Sequence, residues 1–161
     1  MNIEVLVIVS LFLITACWTD IQRMKIPNAL TVFFASGGIL YQLILHDMSG
    51  LRWALLGAVV GFVPLYIMHR LGGIGGGDVK WFGAFGIWMG PLPTLQLLVF
   101  SILFAGGIAG VLLILRLPGL RKWGKRLKWP WGPHPVTIGR SAQIPFMIAV
   151  APGFITLLGK G

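Results

Sequence analysis

The stretch "GGIGGGDVKWFGAFGIWMGPLP", residues 72–93, holds the choice on which the fold turns. Five glycines in positions 72–77 run into a single aspartate, Asp78, and the apolar run behind it, 79–90, is closed by Pro91 and Pro93. A bilayer crossing wants about 20 residues, so this run is short. Either it crosses by itself, tilted against thinned lipid, or it fuses with the apolar segment beyond the prolines. The choice sets the parity of the crossings and so the side on which every loop lies.

Around this stretch the chain of 161 residues is 57% hydrophobic and 11% charged, with a mean hydropathy of +0.88. That is the balance of a membrane protein rather than a soluble domain. Apolar runs bounded by polar, Pro or Gly residues fall at 3–19, 29–45, 54–68, 79–90, 95–115 and 144–158. Counting 79–90 as a separate crossing places Arg23, Lys25, Arg70, Lys80, Arg116, Arg121, Lys122, Lys125, Arg126, Lys128 and Arg140 in odd-numbered loops. Only Arg52 and Lys160 fall on the other side. Because cytoplasmic loops collect Lys and Arg, the expected architecture is all-α, with six transmembrane helices, both termini on the outer side and one domain over 1–161. Fusing the fourth and fifth runs would scatter the cations over both faces. The segment "LITAC" at 13–17 loosely resembles a lipoprotein cleavage box. However, no cation precedes the apolar run and Glu4 has the wrong sign for a signal peptide, so 3–19 is read as a retained helix.

The fifth loop, 116–143, interleaves its cations with Trp123, Trp129, Trp131 and His134 among four prolines. This composition suits a cytoplasmic interfacial segment lying on anionic headgroups better than one that binds nucleic acid. Cys17 is the sole cysteine, and His46, His69 and His134 fall in different loops, so no metal site is expected. The pairs Gly57/Gly61 and Gly106/Gly110 have the small-xxx-small spacing that lets membrane helices pack closely.

The orientation sorts the four acids. Glu4 and Asp47 fall on the outer face as solvated positions, leaving Asp20 and Asp78 as the acids on the cytoplasmic side. Two carboxylates at one depth can share a proton: the ionised one takes a proton from water while the protonated one hydrogen-bonds a scissile carbonyl. An aspartic dyad needs no metal, cofactor or nucleophilic side chain. A peptide bond must also be extended to be attacked, and glycines without Cβ atoms let a loop approach such a backbone closely. The plainer readings are that Asp78 caps the fourth helix and that Asp20 is a charged stop to the first.

Three motifs sharpen the choice. "GGGDVK" at 75–80 contains a GxGD pattern followed by a lysine, "DIQRMKIPN" at 20–28 sets an acid before Ile-Pro-Asn, and "IPFMIAVAPG" at 144–153 is a Pro-containing final helix. In this order, on six apolar runs, the chain resembles the type IV prepilin peptidases, a family of membrane aspartic proteases. The resemblance implies a catalytic pair at Asp20 and Asp78 and loop glycines at Gly75 and Gly77. Lys80 is read as tuning the dyad or contacting the substrate backbone, or else as snorkelling to headgroups, and Asn28, in the first turn behind Pro27, as capping or positioning the first loop at the substrate side. It implies cleavage of the leader from prepilin-like substrates at the cytoplasmic face of the inner membrane, without cofactor. Larger members carry a first-loop domain with paired CxxC motifs associated with N-methylation. Here Asp20 and Pro27 are seven positions apart, so neither zinc nor methyltransferase activity is expected. The short form is similar to Flp/Tad-type prepilin peptidases or archaeal preflagellin peptidases. The alternatives are a noncatalytic pilus-assembly or small proton or cation transport subunit, and a presenilin-type protease, which also uses GxGD.

Overall fold

The computed structural model describes residues 2–115, 117 and 144–159. The five described helices are α1 (Ile3–Arg23), α2 (Asn28–Arg70), α3 (Gly76–Met89), α4 (Pro91–Ile114) and α5 (Met147–Leu158), and no strand occurs among the described residues. The expected loop 116–143 lies outside them, apart from Leu117.

Each break has a local cause. α1 ends where Met24 turns left-handed (φ 51°) and donates its N–H to the carbonyl of Asp20 at 2.8 Å. Pro27 then holds extended backbone and opens α2, where a missing N–H is harmless. Gly90, at φ 78°, is the whole turn between α3 and α4. The fourth and fifth apolar runs are therefore separate helices, divided by the glycine rather than by the prolines after it. Pro91 begins α4.

α2 is 43 residues long but carries one non-helical residue, Asp47 (φ 54°, ψ −150°). Its two parts run in opposite directions. Asn28 touches Lys80, and Gly38 lies against Ile87 and Trp88, so residues 28–46 run along α3 in its own direction. Gly57 lies against Gly86 and Gly61 against Phe82, so residues 48–70 run back. The expected second loop, with Arg52 in it, is thus reduced to a reversal at Asp47, and Arg52 is helical. α4 returns from Gly90, and α5 reverses again with Gly153 packed on Ser101.

Six helical segments therefore alternate in direction. Asp20, the 72–78 loop, Ile108 and the start of α5 gather at one end. Asn2, His46, Trp53, Met89 and Pro93 gather at the other. α1, α2 and α4 are long and apolar enough to cross a membrane.

α3 is the axis of the bundle. At about 1.5 Å per residue its length is only about 21 Å, yet every residue from Trp81 to Met89 is buried. α3 is sheathed by other helices, so its length need not match the thickness of a bilayer. Its rings knit the sheath together. Phe12 of α1 stacks on Phe34 of α2 (centroids 4.1 Å apart) and on Trp81 (5.2 Å), Trp81 stacks on Phe85 (5.3 Å), and Phe85 meets Phe154 of α5 edge-on at 6.2 Å. Such pairs contribute about 0.5–1.5 kcal/mol each beyond the area they bury.

The two glycine pairs part company. A Cβ on Gly57 or Gly61 would strike the backbone of Gly86 or Phe82, so this pair carries a backbone-to-backbone crossing. At Gly106 and Gly110 a Cβ would meet nothing within 4 Å, so the expected close packing is absent there among the described residues.

Candidate active site

Asp20 sits in the last turn of α1 and Asp78 is the third residue of α3, and the bundle brings the two to one end. Gly75 occupies the N-cap position of α3, and Asp78 caps the helix from its third position, its carboxyl accepting the N–H of Gly75. Both acids are enclosed, at 5% and 6% exposed. Glu4 and Asp47 are exposed.

Their surroundings differ. Asp20 Oδ2 accepts the N–H of Met147 at 3.1 Å, at the N-terminus of α5, where free N–H groups favour negative charge. Asp78 Oδ1 is buried with no hydrogen-bond partner among the described residues. Asp78 sits at the loop end of α3, and its carboxyl also accepts backbone N–H groups of the turn at Gly75. Two enclosed carboxyls at one end of the bundle cannot both ionise cheaply, so the pair is suited to share one proton.

Two cavities flank the pair, and both aspartates line both of them. The larger, about 620 Å³, lies between the glycine loop, α4 and α5, with Ala105, Ile108, Phe146 and Ala149 in its wall. The smaller, about 480 Å³, lies under the 24–28 turn, with Lys25, Pro27 and Asn28. Gly75 and Gly77 are glycine for different reasons. A Cβ on Gly75 would stand 3.0 Å from Asp78 Oδ2, and one on Gly77 would stand 3.2 Å from the Cβ of Ile26. Gly77 therefore packs on the first turn of chain beyond α1, while Gly72 (φ 80°) has open space around it.

Lys80 and Asn28, expected at the substrate side, bind each other: Lys80 Nζ donates to Asn28 Oδ1 at 2.9 Å. Asn28 does not cap α2, whose N-cap residue is Pro27. Sequence reasoning missed Met147 and the α4 residues Ala105 and Ile108. For Met147 a signal existed: a helix starting just after Pro145, on the side of the two acids, presents unbonded N–H groups to them.

Residues 7–112 match the model of the type IV leader peptidase family. A prepilin leader peptidase/N-methyltransferase of Bacillus subtilis (strain 168) is 33% identical over 129 residues, covering 79% of this chain and 49% of that protein. Its counterpart in Aeromonas hydrophila is 30% identical over 131 residues, covering 76% and 42%. The leader peptidase HopD of Salmonella typhimurium is 35% identical over 105 residues, covering 60% and 66%. This chain spans about half the length of the first of these relatives and less of the second. No solved structure matches it. The matched segment contains both aspartates, the glycine loop and the α3 axis, and the chain belongs to the type IV leader peptidase family.

Proposed function

We propose that the chain is a membrane-embedded aspartic endopeptidase that removes the leader from prepilin-like substrates, with Asp20 and Asp78 as the catalytic pair. The observation that carries the reading is the convergence of two acids from distant parts of the chain, both nine-tenths buried, on the walls of the same two cavities. A structural ion pair would set a cation beside such groups. Here backbone N–H groups meet both carboxyls, that of Met147 on Asp20 and that of Gly75 on Asp78, while Asp78 Oδ1 has no partner among the described residues.

In the reaction a water between the carboxyls loses a proton to ionised Asp20 as its oxygen attacks the scissile carbonyl carbon, while the Asp78 proton hydrogen-bonds the carbonyl oxygen. The tetrahedral intermediate collapses with proton transfer to the amide nitrogen. The C–N bond breaks, leaving a carboxylic acid on the leader and a free amine on the mature protein. The pair acts without a cofactor. Gly75 and Gly77 keep side chains out of the space beside the dyad and under the first turn.

The clustering of cations in the odd-numbered loops supports six crossings with the aspartates at the cytoplasmic face of the inner membrane and both termini outside. The basic 116–143 segment is assigned to anionic headgroups on that face. Only the peptidase half of the relatives' names is carried over, since the four-residue connection between α1 and α2 has no room for a first-loop domain and Cys17 is the sole cysteine.

Asp20→Asn and Asp78→Asn are each expected to lower cleavage of a co-expressed prepilin by about 10²–10⁴-fold, with the purified variants eluting and melting like the parent. Near-normal processing by either variant would remove the assignment.

A further inference from the structure

α2 ends one loop before Asp78, and its last turn is tied back on itself. The Gly72 N–H donates to the His69 carbonyl and the Gly73 N–H to the Met68 carbonyl, each at 2.9 Å, with Gly72 left-handed at φ 80°. Such a stop satisfies carbonyls that a helix end leaves free and sends the chain off toward α3. The glycines that follow give the loop little to rest on. Among the described residues, a Cβ on Gly72 would meet nothing within 4 Å, and one on Gly73 would meet the Met68 carbonyl oxygen alone, at 3.4 Å.

His69 supplies a hold that the glycines lack. Its ring Nδ1 stands 2.8 Å from the Ile74 carbonyl oxygen. A carbonyl oxygen can only accept, so Nδ1 carries the hydrogen and donates it. The ring also lies beside Gly76, the first residue of α3, where a Cβ would stand 3.4 Å from Cε1 and 3.5 Å from Nε2.

The acceptor of that bond and a donor to Asp78 belong to one peptide group. Ile74 contributes the carbonyl that His69 holds, and Gly75 contributes the N–H that the Asp78 carboxyl accepts. The peptide is planar, so fixing the direction of its oxygen fixes that of its hydrogen. A hydrogen bond on the carbonyl also polarises the group and strengthens its N–H as a donor. Ile74 lines the larger aspartate cavity and Gly75 lines both, whereas His69 lines neither. His69 thus stands behind the loop, with one peptide between it and the acid.

We propose that His69 is a positioning residue for the aspartate pair, orienting the Asp78 carboxyl through the Ile74–Gly75 peptide. The proposal rests on the peptidase reading given above and adds to it a residue that touches neither acid and lines neither cavity.

Two substitutions separate the two contacts of the ring. His69→Phe keeps a flat ring beside Gly76 and lacks the N–H, while His69→Asn offers an amide N–H in the place of Nδ1 and gives up the ring. With purified enzyme and a prepilin in detergent, His69→Phe is expected to lower kcat about tenfold with KM within about twofold, and His69→Asn to keep kcat within about threefold of the parent. Hydrogen exchange of the Gly75 amide in substrate-free protein is expected to quicken about tenfold in His69→Phe and to stay near the parent's rate in His69→Asn. Parental kcat in His69→Phe overturns the proposal, and so does unchanged Gly75 exchange in that variant. A loss in His69→Asn that His69→Phe escapes also overturns it, because the ring contact would then be what matters. A rise in KM at unchanged kcat does the same. Each of these results, found with a parent that cuts the prepilin, leaves the peptidase assignment standing. If instead the parent does not cut it, the peptidase assignment falls and this proposal with it.

Discussion

Asp20 and Asp78 reach burial by different routes, and the difference sets their chemistry. Asp20 ends α1 beside the N-terminus of α5, so its charge is met by a backbone N–H. Asp78 is enclosed at the head of α3, where Oδ1 has no partner among the described residues. Because one carboxyl must be ionised while the other holds a proton, cleavage is expected to follow a bell-shaped pH profile, falling in acid and again in alkali. A pH–rate profile on purified enzyme checks this, and a rate that rises in one direction throughout contradicts it. Lys80, next but one to Asp78, acts on the first turn of α2 rather than on the acid, through Asn28. Lys80→Met is expected to lower kcat/KM about fivefold by loosening the 24–28 turn against α3. The exchange Asn28→Lys with Lys80→Asn restores the donor–acceptor pair in reverse and should recover most of the loss, which a purely electrostatic role for Lys80 would not allow.

At the scale of elements, the decisive contact is the crossing of α3 with residues 48–70 of α2. It is made backbone to backbone at Gly57 and Gly86. Neither position has side-chain atoms that could move aside, so a larger residue must push the helices apart. Overpacking a core costs about 1–3 kcal/mol, and more when the obstacle is backbone. Gly86→Leu is therefore expected to lower the thermal midpoint in detergent by many degrees or prevent folding, while Gly106→Ala, on the open face of α4, leaves it unchanged or slightly higher. Equal midpoints for the two variants in a fluorimetric melt would contradict the crossing. Spreading α3 from α2 would also carry Asp78 away from the 24–28 turn, so activity and stability are expected to fall together at Gly86.

For the whole molecule, alternation of the six helical segments puts the reversal at Asp47 and the start of α1 at the end opposite the aspartates. In the orientation proposed from its cations, the bundle would expose residue 49 outside and residue 73 inside. With Cys17→Ser as background, an impermeant maleimide added to intact cells should label Ser49→Cys, while Gly73→Cys labels only once the inner face is opened. The opposite pattern would reverse the orientation. The depth of the site follows from the shape of the bundle. Because short α3 is its axis, the acids are held among helices rather than at lipid, close to the loop side, where water can enter through the cavities.

Much of this was legible in the residues. Hydropathy marks six apolar runs, and each coincides with helix. The cation pattern separates α3 from α4, and elimination among four acids leaves Asp20 and Asp78 on one side. Hydropathy could not tell which apolar face meets lipid and which meets protein. Both are carbon, so α3, apolar on nearly every side, looks like a lipid-facing span cut short, and Gly106/Gly110 look like Gly57/Gly61. Local pattern specifies helices because their hydrogen bonds close within four residues. The place of α3 at the centre, the Met147 N–H on Asp20, the Lys80–Asn28 tether and the uncovered side of α4 depend on groups far apart along the chain, and only packing brings those together.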